Sequence, residues 1–253
     1  MVTLGDMLAS RPVREGVPEH GRVPKYFTVK ARLVSRLAEL GEGAPLPAER
    51  ELAAEYAVSR ATLRQAISEL ILEGRLSSQQ GRGTFVAAPK LIQPLGLVSY
   101  TEAVRTMGRE PSRRIVTAER VPATPVLAGV LGLAPDAEVI HLERVLLADG
   151  EPIGLESTYL SAGRFATLLD VLAPGASLYR CMREEFGVEL AEAEEQIETV
   201  LASPREAALL GANPALPMLL VHRVSHDAAG TPVEQVRSLF RGDRIGFRTR
   251  LRG

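Results

Sequence analysis

The chain has 253 residues, a formal net charge of −1 and 45% hydrophobic residues, values that suit a globular protein of two modest domains. Its single cysteine, Cys181, excludes an intramolecular disulfide, and no apolar run approaches the roughly 20 residues of a membrane-spanning helix. The N-terminus lacks a basic start followed by an apolar stretch, so we expect no signal peptide, no membrane partner and a cytoplasmic location.

Three amphipathic helices are predicted in the first quarter of the chain. Residues 1–24 carry glycine, proline and charge without periodicity, which predicts a flexible arm. Apolar residues then recur at helical spacing over residues 25–40 and again over residues 48–56. A third helix is predicted to start after Ser59, which is a good N-cap residue, and to end at Gly74.

A β-hairpin is predicted after the third helix. The segment RLSSQQGRGTFVA, residues 75–87, has two strand-like runs around a turn with two glycines. Two helices, a tight turn, a third helix and a hairpin form a winged helix-turn-helix, so residues 25–88 are predicted to be a DNA-binding domain. Residues 89–98 contain two prolines and no clear period, and we interpret them as an interdomain linker.

Residues 99–253 predict a second, α+β domain built on an antiparallel sheet. Asp149-Gly150 between two apolar runs predicts a tight hairpin. Helical patterns occur near residues 101–107, 125–132, 165–172, 178–186 and 204–211, and strand patterns over residues 115–121, 138–147, 195–202 and, as a long hairpin with a further strand, 217–252.

The candidate DNA contacts lie on the third helix and the hairpin. In a winged helix-turn-helix the third helix enters the major groove with its N-terminal residues toward the bases. Arg60 and Arg64 are four residues apart and share one face, and a forked guanidinium matches the paired acceptors of guanine. Double-stranded DNA is therefore the predicted partner. The full set of candidates is Arg50, Ser59, Arg60, Thr62, Arg64, Gln65, Gly81, Arg82 and Gly83, of which Arg82 suits the minor groove.

Several segments resemble the GntR superfamily of bacterial regulators. LPAERELA, VSRATLRQA, LEGRL and GRGTFV carry the resemblance in the first domain. ADGEPIGLESTYL, AEAEEQIET and PVEQVRSLFRGDR resemble the HutC subfamily, whose sensor is a UTRA domain of chorismate-lyase-like fold, and within it the amino-sugar repressors of the DasR and NagR type. The resemblance implies a homodimeric repressor on a palindromic operator, without a cofactor. It also implies a small-molecule effector, often a sugar phosphate such as glucosamine 6-phosphate, that changes the relative position of the two DNA-binding domains.

The resemblance also implies where the effector binds. In such repressors a phosphate is held at the start of the helix after the linker, by a serine that opens another helix, and by two arginines on one strand, while acidic side chains bind the sugar. The matching positions here are Ser99, Tyr100 and Thr101, then Ser177, Arg144, Glu156 and Glu234, and finally Phe240.

The chain departs from the family's pattern at two positions. Leu146 stands where the second arginine is expected, and Phe240 stands where a tyrosine is expected. A site built to hydrogen-bond a group loses affinity steeply when one partner is missing. We therefore expect that the effector is not glucosamine 6-phosphate bound with the usual affinity, but another sugar or sugar phosphate, or that the pocket is weakened.

Three alternatives stay open. Arg144, Glu156 and Glu234 could form a salt-bridged strand pair without a ligand, while the arginines around RGDR, namely Arg237, Arg241 and Arg244, are expected to be structural. The second domain could serve dimerisation alone, with no effector. The hypothesis that the protein is an enzyme is the least favoured, because the sequence has no HExxH, paired CxxC, nucleophile elbow or Walker loop.

Overall fold

The computed structural model describes residues 24–79 and 81–251. The chain divides into two compact units between Pro89 and Lys90. The flexible arm predicted for residues 1–24 lies outside the described residues, apart from Pro24. Within the described ranges, no helix is both long enough and apolar enough to span a bilayer.

The first unit consists of three helices and a hairpin, as predicted. The helices are α1 (Lys25–Leu40), α2 (Glu49–Glu55) and α3 (Arg60–Leu72), and the antiparallel strands are β1 (Leu76–Gln79) and β2 (Gly83–Val86). The three helices bury one apolar stripe each, with Leu33, Leu52 and Leu63 fully inaccessible. The loop before α2 also joins the hairpin, because the Leu46 N–H donates to the Thr84 carbonyl at 2.8 Å.

The second unit is a mixed α+β fold around one sheet. Its helices are α4 (Tyr100–Thr106), α5 (Pro125–Val130), α6 (Leu168–Val171), α7 (Leu178–Phe186) and α8 (Pro204–Leu210). Its strands are β3 (Leu91–Pro94), β4 (Pro111–Pro122), β5 (Glu138–Ala148), β6 (Glu151–Ser161), β7 (Glu192–Leu201), β8 (Pro217–His226), β9 (Pro232–Arg241) and β10 (Ile245–Arg248). Six strands form an antiparallel sheet in the order β4-β5-β6-β9-β8-β7.

Two parts of this unit differ from the sequence prediction. Residues 91–94, within the predicted linker 89–98, form β3, which pairs in parallel with β10. The pairing is closed by the Leu91 N–H, which donates to the Arg244 carbonyl at 2.8 Å, so a segment without local periodicity gains its structure from a distant partner. The helix predicted near residues 165–172 is shorter, because turns precede α6.

The two faces of the sheet pack against different elements. Val145 of β5 faces a core formed with α8, which includes Leu210. The next residue, Leu146, lies on the opposite face because neighbouring side chains of a strand alternate. There it joins a cluster with Tyr100 of α4 and Phe240 of β9. The second face therefore carries the residues that the sequence assigns to effector binding.

Candidate DNA-binding surface and effector site

The start of α3 is organised by a hydroxyl cap. The Ser59 side chain accepts the Thr62 N–H at 3.1 Å, and its Oγ lies 2.8 Å from the Thr62 Oγ1. Arg60, Arg64 and Gln65 are exposed beside this cap. The two hydroxyls thus fix the N-terminal end of α3. The long side chains next to them extend into solvent, where they could contact the bases of a DNA groove.

Arg64 has an unexpected partner on α2. Its Nη2 lies 2.9 Å from the Glu49 Oε2, and this hydrogen bond raises the pKa of Arg64. Exposed ion pairs of this kind contribute little to stability, so the guanidinium can exchange Glu49 for a DNA acceptor at small cost. Arg50 and Arg60 are exposed and form no ion pair within the part of the chain that the structure describes.

The tip of the wing is exposed and depends on glycine. Gly81 has φ +74° and Gly83 has φ +109°, conformations that side-chain-bearing L residues rarely adopt. Arg82 between them is exposed. The first unit therefore places its predicted DNA contacts at solvent-facing positions on α2, α3 and the wing.

A cavity of about 60 Å³ lies on the second face of the sheet. Its floor contains side chains that neighbour one another across strands: Arg144 of β5 pairs in register with Glu156 of β6, which pairs with Ser238 of β9. Tyr100 of α4, Tyr179 of α7 and Phe247 of β10 complete the wall.

Seven of the eight predicted effector residues line this cavity: Ser99, Tyr100, Arg144, Glu156, Ser177, Glu234 and Phe240. The exception is Thr101, whose Oγ1 accepts a hydrogen bond from the Arg113 Nη1 at 2.9 Å. Ser99 and Ser177 also cap helices, since Ser99 accepts the Glu102 N–H at 3.2 Å and Ser177 accepts the Arg180 N–H at 3.4 Å. Their hydroxyls therefore have structural partners besides any ligand.

Arg144 and Glu156 form an ion pair at the centre of the floor. Both side chains are largely buried, with 4% and 16% exposed. The pair uses one end of the guanidinium, while the buried Nε and Nη1 of Arg144 have no hydrogen-bond partner among the described residues. The salt bridge that the sequence analysis kept as an alternative is thus present between Arg144 and Glu156. The Nε and Nη1 of Arg144 do not take part in it.

Glu234 belongs to a separate hydrogen-bond network. Its Oε1 accepts from the Tyr179 hydroxyl at 2.6 Å and from the Ser225 hydroxyl at 2.9 Å. The Tyr179 oxygen in turn accepts from the Arg223 Nη1 at 3.0 Å, and Arg223 donates to Glu195 at 2.7 Å. Burial raises the pKa of Glu234, and its Oε2 has no partner in the described ranges.

Arg113 on β4 is the most consequential cavity residue that sequence reasoning missed. In the strand register it lies directly opposite Leu146, the position where the sequence indicated a missing charge. A neighbouring strand thus brings a guanidinium to the cavity beside Leu146, and the expectation that the effector loses a contact at Leu146 stays a prediction. Tyr179, Glu195 and Arg223 were missed as well, since only the strand pairing and the α7 packing bring them to the cavity.

The substitution of phenylalanine for the expected tyrosine is accommodated by packing. Phe240 contacts Phe247 edge to face, with the ring centroids 5.6 Å apart. A Cβ on Gly154 would lie only 2.7 Å from the Phe240 ring, so the glycine makes room for it. The arginines around RGDR lie outside the cavity, as expected: Arg241 pairs with Asp243 at 2.7 Å and Arg237 with Glu206 at 2.7 Å.

Family comparisons agree with this architecture. A family model described as bacterial regulatory proteins, gntR family, matches residues 25–86, and the UTRA domain model matches residues 106–246, more than half of the chain. The chain belongs to the GntR family. The first match covers the winged helix-turn-helix of this GntR-family protein, and the second covers the six-stranded sheet and most of the residues that line the cavity.

Individual relatives extend over both units. The chain is 45% identical to the HTH-type transcriptional repressor PhnF of Mycolicibacterium smegmatis, over 89% of this chain and 92% of that protein. It is 34% identical to the HTH-type transcriptional repressor NagR of Bacillus subtilis, over 89% and 93%. The crystal structure of PhnF from Mycobacterium smegmatis aligns with a TM-score of 0.66 at 45% identity, covering 88% of this chain and 99% of that one. The predicted fold is confirmed, and the family and its members are transcriptional regulators, not enzymes.

Proposed function

We propose that this GntR-family protein is a repressor of the HutC type that binds a palindromic operator as a homodimer and responds to a small molecule in the cavity of its second unit. The exposed arginines of α2, α3 and the wing support the DNA-binding half. One such unit covers only a half-site, and two-fold symmetry doubles the contacts, which favours a dimer.

A cluster of unsatisfied polar atoms carries the effector half of the proposal. Buried polar groups almost always have hydrogen-bond partners, and an unpaired one costs free energy. Among the described residues, the atoms that lack a partner in the cavity are Arg113 Nε, Arg144 Nε and Nη1, Thr158 Oγ1 and Glu234 Oε2. Donors and acceptors that converge on one space are what a polar ligand would satisfy.

A sugar or sugar phosphate related to amino-sugar metabolism is the proposed effector class. The resemblance to amino-sugar repressors and the acidic side chains of Glu156 and Glu234 support it. Phe240 offers no hydroxyl, so we expect glucosamine 6-phosphate itself to bind more weakly than micromolar. Isothermal titration calorimetry with this compound tests that expectation, and micromolar or tighter binding would contradict it.

A DNA-retention assay tests the whole proposal. The upstream region of the protein's own gene is incubated with the full chain, with and without a panel of sugar phosphates. Arg144→Ala should bind the operator as the wild type does and lose the response to the active compound, because it removes the central donors of the cavity.

Arg205→Ala provides the matched control. Arg205 pairs with Glu143, the neighbour of Arg144 that lies on the opposite face of the sheet. This variant should retain both operator binding and the response. Operator binding that no compound alters would instead favour a second unit that serves dimerisation alone.

A further inference from the structure

We propose that Glu49 of α2 takes part in sequence recognition, by accepting a hydrogen bond from the N4 amino group of a cytosine whose paired guanine is bound by Arg64. The inference deepens the DNA-binding half of the proposed function and rests on it. One G·C pair of each half-site is thereby recognised by an acidic residue as well as by an arginine.

Glu49 lies beside the recognition helix although it belongs to α2. Its Oε2 accepts hydrogen bonds from the Nε of Arg64 at 3.2 Å and from the Nη2 at 2.9 Å. Both side chains remain accessible, with 34% of Glu49 and 64% of Arg64 exposed. The carboxylate is therefore part of the same solvent-facing surface as the predicted DNA contacts.

The backbone around Glu49 is fixed by contacts on both sides. The loop before it joins the wing, because the Leu46 N–H donates to a carbonyl of β2 at 2.8 Å. After it, Leu52 of α2 packs in the same core as Leu63 of α3. The side chain of Glu49 thus starts from a defined position and can reach a groove that Arg64 enters without a movement of the backbone.

A carboxylate on this surface is unfavourable unless the DNA supplies a donor. The phosphates repel it, and when Arg64 turns to the DNA the carboxylate loses its cationic partner. A charge that is enclosed without a partner carries a desolvation cost. In the major groove the bases offer only the amino groups of cytosine and adenine as donors, so Glu49 selects for one of these.

The guanidinium of Arg64 decides between the two amino groups. Its forked donors match the N7 and O6 acceptors of guanine, and the N4 amino group of the paired cytosine lies next to that O6. The donors of Arg64 and the acceptor of Glu49 thus complement the two acceptors and the one donor of a single G·C pair. An A·T pair presents its amino group between two acceptors and does not match this order.

A role in helix stability is the simpler alternative for Glu49. Acidic residues in the first turn of a helix stabilise it, and α2 carries two of them, Glu49 and Glu51. Among the described residues, only Glu49 of these two forms an ion pair. Glu51 is exposed, so it provides a control with the same charge in the same turn.

Selection from a duplex library with a randomised core tests the base preference. The full chain and its variants are each incubated with the library, and the enriched sequences are compared position by position. We expect the wild type to select a G·C pair that Arg64→Ala no longer selects. Glu49→Ala should lose about tenfold of the preference at that same position, the discrimination of about one contact, whereas Glu51→Ala should keep it.

Removal of the amino group from the DNA provides the decisive experiment. In the enriched duplex, the cytosine of that pair is replaced by 2-pyrimidinone, which pairs with guanine but lacks the 4-amino group. The affinity of the wild type, measured by fluorescence anisotropy, should fall about tenfold more than that of Glu49→Ala. Any weakening of the duplex itself is common to both proteins, so the difference between them isolates the amino group.

Glu49→Gln gives a change of specificity that a structural role would not produce. An amide can accept from the N6 of adenine and donate to its N7, so the selected base should shift from cytosine toward adenine. Thermal denaturation of each variant establishes that it is folded.

The outcomes separate this inference from the proposed function. If folded Glu49→Ala keeps the wild-type preference at every position, or if it loses as much affinity as the wild type on the modified duplex, Glu49 reads no base and the operator-binding repressor stands. The same holds if the position that depends on Arg64 is not a G·C pair. If the wild type enriches no sequence from the library, the DNA-binding half of the proposed function fails together with this inference.

Discussion

The two units of this protein display their functional chemistry in opposite ways. In the first unit the arginines of α2, α3 and the wing are exposed, and the apolar residues alone are buried. In the second unit the candidate effector-site side chains are largely buried, and every buried side-chain polar atom without a partner among the described residues lies there. An exposed cationic surface suits a large, hydrated polyanion, whereas incomplete hydrogen bonding inside a cavity suits a small ligand that can enter it.

The effect of Arg60 on operator affinity is expected to be the largest. Arg60→Ala should weaken specific binding by about 1–3 kcal/mol if its guanidinium reads a base, and by a similar amount on all sequences if it contacts phosphate. Arg64→Ala should cost less, because in the wild type Arg64 must give up its ion pair with Glu49 to contact DNA, which offsets part of that contact's contribution. Fluorescence anisotropy with operator and scrambled duplexes measures both.

Arg36→Ala is the control for that series. Arg36 of α1 pairs with Glu55 of α2 at 2.8 Å and forms no ion pair with α3 among the described residues. Operator affinity should not change in this variant. A loss as large as that of Arg60→Ala would mean that general positive charge, rather than the face of α3, governs DNA binding.

A methyl group added at Gly154 should destabilise the second unit without changing the DNA-binding surface of the first unit. Gly154→Ala places a Cβ 2.7 Å from the Phe240 ring, an overlap that typically costs about 1–3 kcal/mol of unfolding free energy. Chemical denaturation measures the loss. Phe240→Leu in the same chain should recover part of it, and a Gly154→Ala variant as stable as the wild type would show that the ring has room to move.

The buried carboxyl of Glu234 should make the second unit sensitive to pH. Because its pKa in the folded chain is raised above the ordinary 4.5, its stabilising contribution is complete below that pH and is lost as the pH rises through the folded value. The free energy of unfolding should therefore fall with rising pH, by at most about 1.4 kcal/mol per unit for one proton.

Glu234→Gln separates this effect from other titrations. The amide keeps the shape of the side chain and does not ionise, so the pH slope above 4.5 should flatten. Denaturant titrations at several pH values compare the two chains. An unchanged slope would assign the pH dependence to groups other than Glu234.

Substitutions at Ser59, the N-cap of α3, should have the smallest effect on stability. They also distinguish a loss of stability from a loss of DNA contact. Ser59→Ala removes the acceptor for the Thr62 N–H and should cost about 1 kcal/mol of stability in the first unit. Ser59→Asp keeps an acceptor, so it should retain stability while its negative charge repels DNA. Equal operator affinity in Ser59→Asp and the wild type would place this end of the helix away from the phosphates.

The parts of the fold that depend on local pattern could be predicted from the sequence. The spacing of Leu63, Ile67 and Leu70 indicated α3, and Asp149-Gly150 indicated the hairpin, where both residues adopt positive φ. The strand β3 was missed because its partner, β10, lies about 150 residues later in the chain and the segment between prolines has no period of its own.

The cavity could be predicted only in part, for a related reason. Seven residues were placed by resemblance, but Arg113 is recognisable as a cavity residue only once the register sets it against Leu146. A position-by-position comparison along β5 shows only that Leu146 lacks the expected positive charge. The folded sheet shows that Arg113 of the neighbouring strand β4 carries a positive charge opposite Leu146. The register between strands thus cannot be predicted from a single sequence.

The parallel pairing of β3 with β10 has a consequence for genetics. The first strand after Pro89 depends on β10, the last strand that the structure describes, and β10 also contributes Phe247 to the cavity wall. A nonsense mutation just before Ile245 would spare all six strands of the main sheet and the entire winged helix-turn-helix. Such late stop codons are expected to yield alleles that still occupy the operator but no longer respond to an inducer, a dominant phenotype that a reporter screen can select.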